Sequence, residues 1–242
     1  MENQYMAHRC AVIGLGRFGM EVALWLAERK YPVLAIDRRR DLVEQISNDV
    51  DSALCFDSTN ENALMDARVN EMAVVVCAIG DNNVQNSILT TALLHQIGVP
   101  RVIARASTDL HARILKIVGA TDVVNPEKDM GIRVAQIIVN PGLTEVVPLA
   151  EGASVAEMNV PASFIGKTLL ELRVRSRYEV NIIGLRRLRV PPTAEKEGEA
   201  TPKEVGARVF ILTPKPDEPF FEGDILVVAG TEENVKKFSS IS

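Results

Sequence analysis

The sequence is short of the residues that most often carry metal or redox chemistry. Its 242 residues include three cysteines and three histidines. Cys10, Cys55 and Cys77 sit in separate apolar, strand-like runs, with no C-x-x-C pair and no histidine at ligand spacing. That pattern argues against a metal centre or redox couple and predicts three small buried hydrophobes. Long apolar runs are missing too. The best candidate, MAVVVCAIG, is about half of the ~20 residues that span a bilayer. The opening MENQYMAHR is polar and lacks the basic-then-apolar order of a secretory leader, so a cytoplasmic protein is expected. Positive charge is not in excess. The balance of 27 Lys and Arg against 32 Asp and Glu leaves -5, which counts against nucleic-acid binding through a broad basic face. No internal repeat is evident.

What is present is an ordinary globular composition, 47% hydrophobic and 24% charged, long enough for one good core and a second, smaller one. Up to about Asn140 short apolar runs (CAVIGL, PVLAID, SALCFD, AVVVCAIG, RVIARA, DVVNP) alternate with helical patterns. Phe18, Val22, Trp25 and Leu26 fall on one helical face. Ser58 followed by Glu61 reads as a capping box for the helix carrying Leu64. A helix from about Val84 should stop at IGVP, with Gly98 after its last periodic residue and Pro100 beyond. Ser107 is a candidate cap for the next helix, whose Leu110, Ile114 and Ile117 stripe stops at Gly119. Strands separated by helices predict an α/β fold over residues 1–140, a Rossmann-like doubly wound parallel sheet.

Beyond that point, ASVAEMNVP, EVNIIGLRR, RVFILTPKP and DILVVAG look like strands, with helices near Lys167–Arg173 and at TEENVKKF. Residues 141–242 thus read as a small α+β domain. Pro191–Ala207, rich in Pro, Glu, Lys and Gly, reads as a solvated loop between two of its strands.

The glycines carry the functional signal. Gly14, Gly16 and Gly19 form G-x-G-x-x-G after a strand and at the opening of a helix, and Asp37 closes the next strand 18 residues past Gly19. In that context Gly14 permits a tight turn, Gly16 lets a pyrophosphate approach the backbone, and Gly19 lets helix and strand pack closely. The helix start favours a phosphate, and Asp37 is placed to accept from a ribose diol. The alternative is a turn that only connects strand to helix. Arg38-Arg39-Arg40 follow at once and suit either a 2′-phosphate or plain solvent.

Catalytic groups are scarce beside this signal. His8, His95 and His111 all lie away from the carboxyl ends of the strands, where ligands bind in such sheets. Tyr178 is followed by EVNIIG, so no Tyr-x-x-x-Lys pair exists, and the second domain has no cluster of acids and histidines. A binding protein is expected rather than an enzyme, with an NAD-dependent oxidoreductase as the alternative. A nucleotide-sensing repressor would need a basic helix-turn-helix, which is not evident.

AVIGLGRFG, VVCAIGDNNVQNS and NPEKDMGIRVAQ, with LRVRSRYEVNIIGLRR and FEGDILVVAGTEENVKKF, resemble the RCK-type (TrkA-N/TrkA-C) regulatory subunits of bacterial Ktr and Trk potassium transporters. The resemblance is nearest to the Ktr type and covers nearly the whole chain, except for Pro191–Ala207, which stands as an insertion. It implies a cytoplasmic subunit that dimerises, assembles into an octameric ring under a membrane potassium channel, and changes ring shape with bound ATP, ADP or NAD(H). It implies Gly14, Gly16 and Gly19 as the phosphate turn, Asp37 at the adenosine ribose, and Asp57 and Ser58 beside the adenine, Asp57 serving alternatively only as a helix cap, with Phe18 and Arg38 also in the nucleotide-binding set. Ala78, Ile79 and Gly80 would border the nucleoside, Asn86 would reach the ribose or phosphates, and Arg105 matches a basic position after the fifth strand. Arg17 would sense the terminal phosphate, and Glu127 would stand near it at the dimer interface, through Mg, Ca or Na. It also implies a cyclic di-AMP site at Val174, Arg175, Asn181, Ile182 and Pro214.

Overall fold

The structure, a computed structural model, describes residues 9–80, 83–140, 142–188 and 208–241. The expectations at His8 and at Pro191–Ala207 lie outside the described residues. The chain divides into two compact units, Met1–Asp129 and Met130–Ser242.

The first unit is built on strands β1 (Cys10–Ile13), β2 (Val33–Asp37), β3 (Ser52–Cys55), β4 (Val74–Cys77), β5 (Val102–Arg105) and β6 (Asp122–Val124). They form one sheet in the order β3-β2-β1-β4-β5-β6, every pair parallel. A parallel sheet has helices on both faces, so its inner strands are apolar throughout rather than alternating. Strand β1 accordingly buries all four of its residues. Separate apolar cores form on the two faces, one around Ile13, Ile36, Leu64, Leu94 and Leu115, the other around Val12, Leu15, Met20, Ala35 and Ile46. Cys10 and Cys77 are buried as expected, and burial pushes the Cys10 thiol up to about 11. Cys55 is exposed instead, because β3 is an edge strand with mostly exposed residues.

Helices α1 (Arg17–Glu28), α2 (Arg40–Ile46), α3 (Glu61–Asp66), α4 (Val84–Gln96) and α5 (Asp109–Ile117) follow the first five strands, and α6 (Pro126–Val139) follows the last. Two local expectations, the caps of α3 and α5, are corrected here. On α1 the core face is Gly19, Met20 and Ala23, while Trp25 is 55% exposed. Phe18, Val22, Trp25 and Leu26 share one helical face as expected and border one groove, with Phe18, Val22 and Leu26 packed partly buried against the core. On α3 the cap is Asn60, whose side chain accepts from the Ala63 N–H at 3.3 Å. Ser58 is buried, its hydroxyl 2.8 Å from that of Thr90, and so cannot serve the helix end. On α5 the cap is Thr108, accepting from the His111 N–H at 3.1 Å, and the core face is His111 and Leu115. Leu110 and Ile117 are 60% and 83% exposed. Helix α4 ends where expected, with Gly98 at φ +85°. Helix α6 has no buried residue, and Met130, Val134 and Ile138 are among its exposed apolar side chains.

The second unit contains β7 (Leu143–Ala150), β8 (Ala153–Asn159), β9 (Asn181–Leu188), β10 (Arg208–Leu212) and β11 (Ile225–Thr231), an antiparallel sheet in the order β10-β9-β11-β8-β7. Helices α7 (Leu169–Leu172), α8 (Val174–Tyr178) and α9 (Glu232–Ser239) complete it. Strand β7 and helix α8 are not evident in the sequence pattern. Thr168 and Glu171 form a capping box on α7. Rings of Phe164, Tyr178 and Phe238 meet at centroid separations of 5.2–6.2 Å. Arg187 donates to Asp224 through Nε at 3.0 Å and Nη2 at 2.8 Å, and also pairs with Glu218. Among the described residues, no helix is long and apolar enough to cross a membrane.

Candidate functional site

A cavity of about 560 Å³ opens at the carboxyl ends of β1, β2 and β4. This is where the strand order reverses, since β1 lies between β2 and β4, and where ligands enter doubly wound sheets. Its floor is backbone. Gly14 turns at φ +93°, and a Cβ there would stand 3.0 Å from the Ala78 carbonyl carbon and the Ile79 nitrogen. A Cβ on Gly19 would lie 1.9 Å from the Gly14 oxygen, so only glycine lets α1 begin so close to β1. Gly16, by contrast, faces open space, lines the cavity and is the N-cap of α1 with no side-chain cap. First-turn N–H groups without a side-chain acceptor favour an anion there.

Asp37 ties this turn to β2. Its Oδ2 accepts from the Leu15 N–H at 2.6 Å and its Oδ1 from the Arg39 N–H at 2.8 Å. Each carboxylate oxygen keeps a further lone pair for a hydroxyl. Arg38 Nη2 donates to Asn83 Oδ1 at 3.4 Å, joining the segments after β2 and β4. Asp57 Oδ1 accepts from the Thr59 N–H at 3.0 Å and the Thr59 hydroxyl at 2.8 Å. Those bonds hold its carboxyl below the usual range, the backbone bond contributing most.

The cavity brings together Gly14, Gly16, Asp37, Arg38, Asp57, Ser58, Ala78, Ile79, Gly80 and Asn86. It adds Arg39, from the arginine run after β2, and Ile13, Ile36, Phe56 and Asn83, which sequence reasoning did not single out as ligand contacts. Their shared signal is position, at or just past a strand's carboxyl end. Arg17, Phe18, Gly19, Arg105 and Glu127 are not among the lining residues. Gly19 acts from behind, by packing. Phe18 instead borders a separate groove of about 680 Å³ with Val22, Trp25, Leu26 and Ile103, because it shares the flank of α1 that turns away from the turn. Arg17 is the exposed first residue of α1. Arg105 Nη1 lies 3.3 Å from where a Gly80 Cβ would be, and Arg105 Nη2 pairs with Glu127 Oε1 of the same chain at 2.6 Å.

In the second unit Val174, Arg175, Asn181 and Ile182 line a cavity of about 630 Å³ with Leu170 and Arg173. Pro214 does not line it and is buried. Among the described residues no group of three or more His, Cys, Asp or Glu is placed to hold a metal ion.

Residues 10–126 match the family model of the TrkA-N domain. Over 233 residues the chain is 34% identical to Ktr system potassium uptake protein C of Bacillus subtilis (strain 168), covering 96% of each. The chain belongs to this Ktr/TrkA-N family. Within it, Ktr system potassium uptake protein A of Vibrio alginolyticus is 33% identical over 205 residues, 85% of this chain and 92% of that protein. The solved GsuK channel shares the fold of this family member, with a TM-score of 0.51 at 22% identity over 96% of this chain. The chain spans 38% of that structure's length. The GsuK RCK domain gives a TM-score of 0.50 at 22% identity, over 96% of this chain and 46% of that one. The fold is therefore the RCK arrangement, a Rossmann-like parallel sheet joined to a smaller antiparallel region.

Proposed function

We propose that the chain is a nucleotide-sensing regulatory subunit of a potassium-uptake system, and that ATP, ADP or NAD(H) in the first cavity acts as a signal rather than a substrate. The observation that carries this reading is the glycine turn with open Gly16 at the strand-order reversal and Asp37 at its rim, in a chain of the Ktr family. Asp37 would accept from the ribose, Asp57 and Ser58 would flank the adenine, and Ala78, Ile79, Gly80 and Asn86 would border the rest of the nucleoside and phosphates. Arg17, at the phosphate end of the turn, would read the terminal phosphate through paired bonds. Glu127 would share that phosphate only through a bridging cation such as Mg, Ca or Na. Among the described lining residues the ionisable side chains are Asp37, Arg38, Arg39 and Asp57, a set suited to holding a nucleotide.

The partner on this reading is an integral-membrane potassium channel subunit, with the chain at the cytoplasmic face of the membrane. The exposed apolar side chains of α6 and the groove beside Trp25 support association of copies into a dimer and an octameric ring. The second cavity, with an arginine, an asparagine and apolar walls, would take cyclic di-AMP. Calorimetry with ATP, ADP, NADH and NADPH, with solution mass measured alongside, tests the reading. Binding without turnover by a dimer or larger species is expected. A monodisperse monomer that oxidises NADH would replace it with an oxidoreductase.

A further inference from the structure

One side chain stands between the cavity and helix α6. Arg105 ends β5, and its Nη1 lies 3.3 Å from where a Gly80 Cβ would be, with Gly80 on the cavity wall. Its Nη2 donates to Glu127 Oε1 at 2.6 Å, and Glu127 lies in the first turn of α6. The arginine side chain is 14% exposed and the glutamate 60%. A guanidinium so far out of water requires anionic partners, and Glu127, the more exposed residue, supplies one. The same first turn has a second tie, Lys128 Nζ to Asp109 Oδ1 at 2.7 Å. Of the two ion pairs, the one through Arg105 is the one a ligand in the cavity can reach.

A phosphate beside Gly80 would be a second anion for the same cation, and it would repel the Glu127 carboxylate already there. We propose that Arg105 exchanges partners: without ligand it holds Glu127, and the phosphate of a bound nucleotide takes the guanidinium and releases Glu127. The exchange rests on the nucleotide reading above and gives it a lever. Binding then loosens one of the two ion pairs described on the first turn of α6, the helix with the exposed apolar side chains, and firmer anchoring of that turn weakens binding, since linkage is reciprocal. Released Glu127 is also the form that a bridging cation would need.

The test reads a sign. The full chain, its Glu127→Gln variant and its Arg105→Gln variant are titrated with ADP and with adenosine in EDTA, which removes bridging cations. Exchange predicts that Glu127→Gln binds ADP about 2- to 5-fold more tightly, as expected for removing one exposed ion pair, with adenosine affinity unchanged. Arg105→Gln should bind ADP about 10-fold more weakly. Weaker or unchanged ADP binding by Glu127→Gln overturns the exchange, as does an equal gain for adenosine or full ADP affinity in Arg105→Gln. If the parent chain binds neither compound, the nucleotide reading itself fails and the exchange falls with it.

Discussion

The two units fix their geometry by different means. In the parallel unit the cavity is shaped by backbone: Gly14 at positive φ, Gly19 against the Gly14 carbonyl, and Asp37 bonded to two backbone N–H groups. In the antiparallel unit, side chains far apart in sequence close the fold. Arg187 joins Glu218 and Asp224 across 31 and 37 residues, and three aromatic rings pack from Phe164, Tyr178 and Phe238. A backbone-built site leaves open space where Gly16 faces the cavity, ready for a ligand. A side-chain-built closure fills its own hydrogen-bonding capacity and leaves little over. The ATP, ADP or NAD(H) reading therefore attaches to the glycine turn of the first unit, and the cyclic di-AMP reading to the separate cavity of the second.

Four substitutions can break or sharpen this contrast. The largest effect is expected from Gly19→Ala, whose Cβ would meet the Gly14 oxygen at 1.9 Å. Backbone must shift, so a loss above about 4 kcal/mol is expected, with nucleotide binding abolished. Trp25, the single tryptophan, lies on α1 and reports the change by fluorescence; a variant as stable as the parent would show that the turn is not rigid. Next is Asp224→Ala, which removes a 1% exposed carboxylate from Arg187. It should cost about 3 kcal/mol by circular dichroism while leaving ADP affinity intact. A matching loss of ADP binding would mean that the units do not keep their geometries separately.

Asp37→Ala should weaken ADP about 10- to 100-fold, through loss of charge-assisted bonds to the ribose and to Leu15. Calorimetry checks it, and unchanged affinity would place the ligand elsewhere. The smallest effect is Asn60→Ala, about 1 kcal/mol for a lost cap, read by thermal melting. No change there would show that the Asn60 side chain does not stabilise α3.

How much of this was legible in the sequence follows the same division. The inner parallel strands were readable because burial on both faces makes them unbroken apolar runs, and G-x-G-x-x-G with Asp37 located the cavity because its requirements are local. The spacing of Phe18, Val22, Trp25 and Leu26 identified one helical face correctly, but periodicity does not say how deeply each residue is buried, and Trp25 is 55% exposed. Ser58 was plausible as a cap from spacing alone, but its hydroxyl goes to Thr90, 32 residues on. Strand β7, TEVVPLA between Leu143 and Ala150, was hidden by its internal proline, which demotes a run unless it lies at an edge, and β7 is an edge strand. The Arg105–Glu127 pair joins residues 22 apart, which only the fold could bring together.

The central claim is that the nucleotide's phosphate number is read as shape. A ligand shifts a conformational equilibrium only by its differential affinity for the two states, so ATP and ADP must stabilise different arrangements of the assembled protein. Small-angle scattering of the parent protein saturated with each nucleotide in turn tests this most directly. The account predicts two distinct profiles from assemblies of equal mass, whereas superimposable profiles at full occupancy would contradict it.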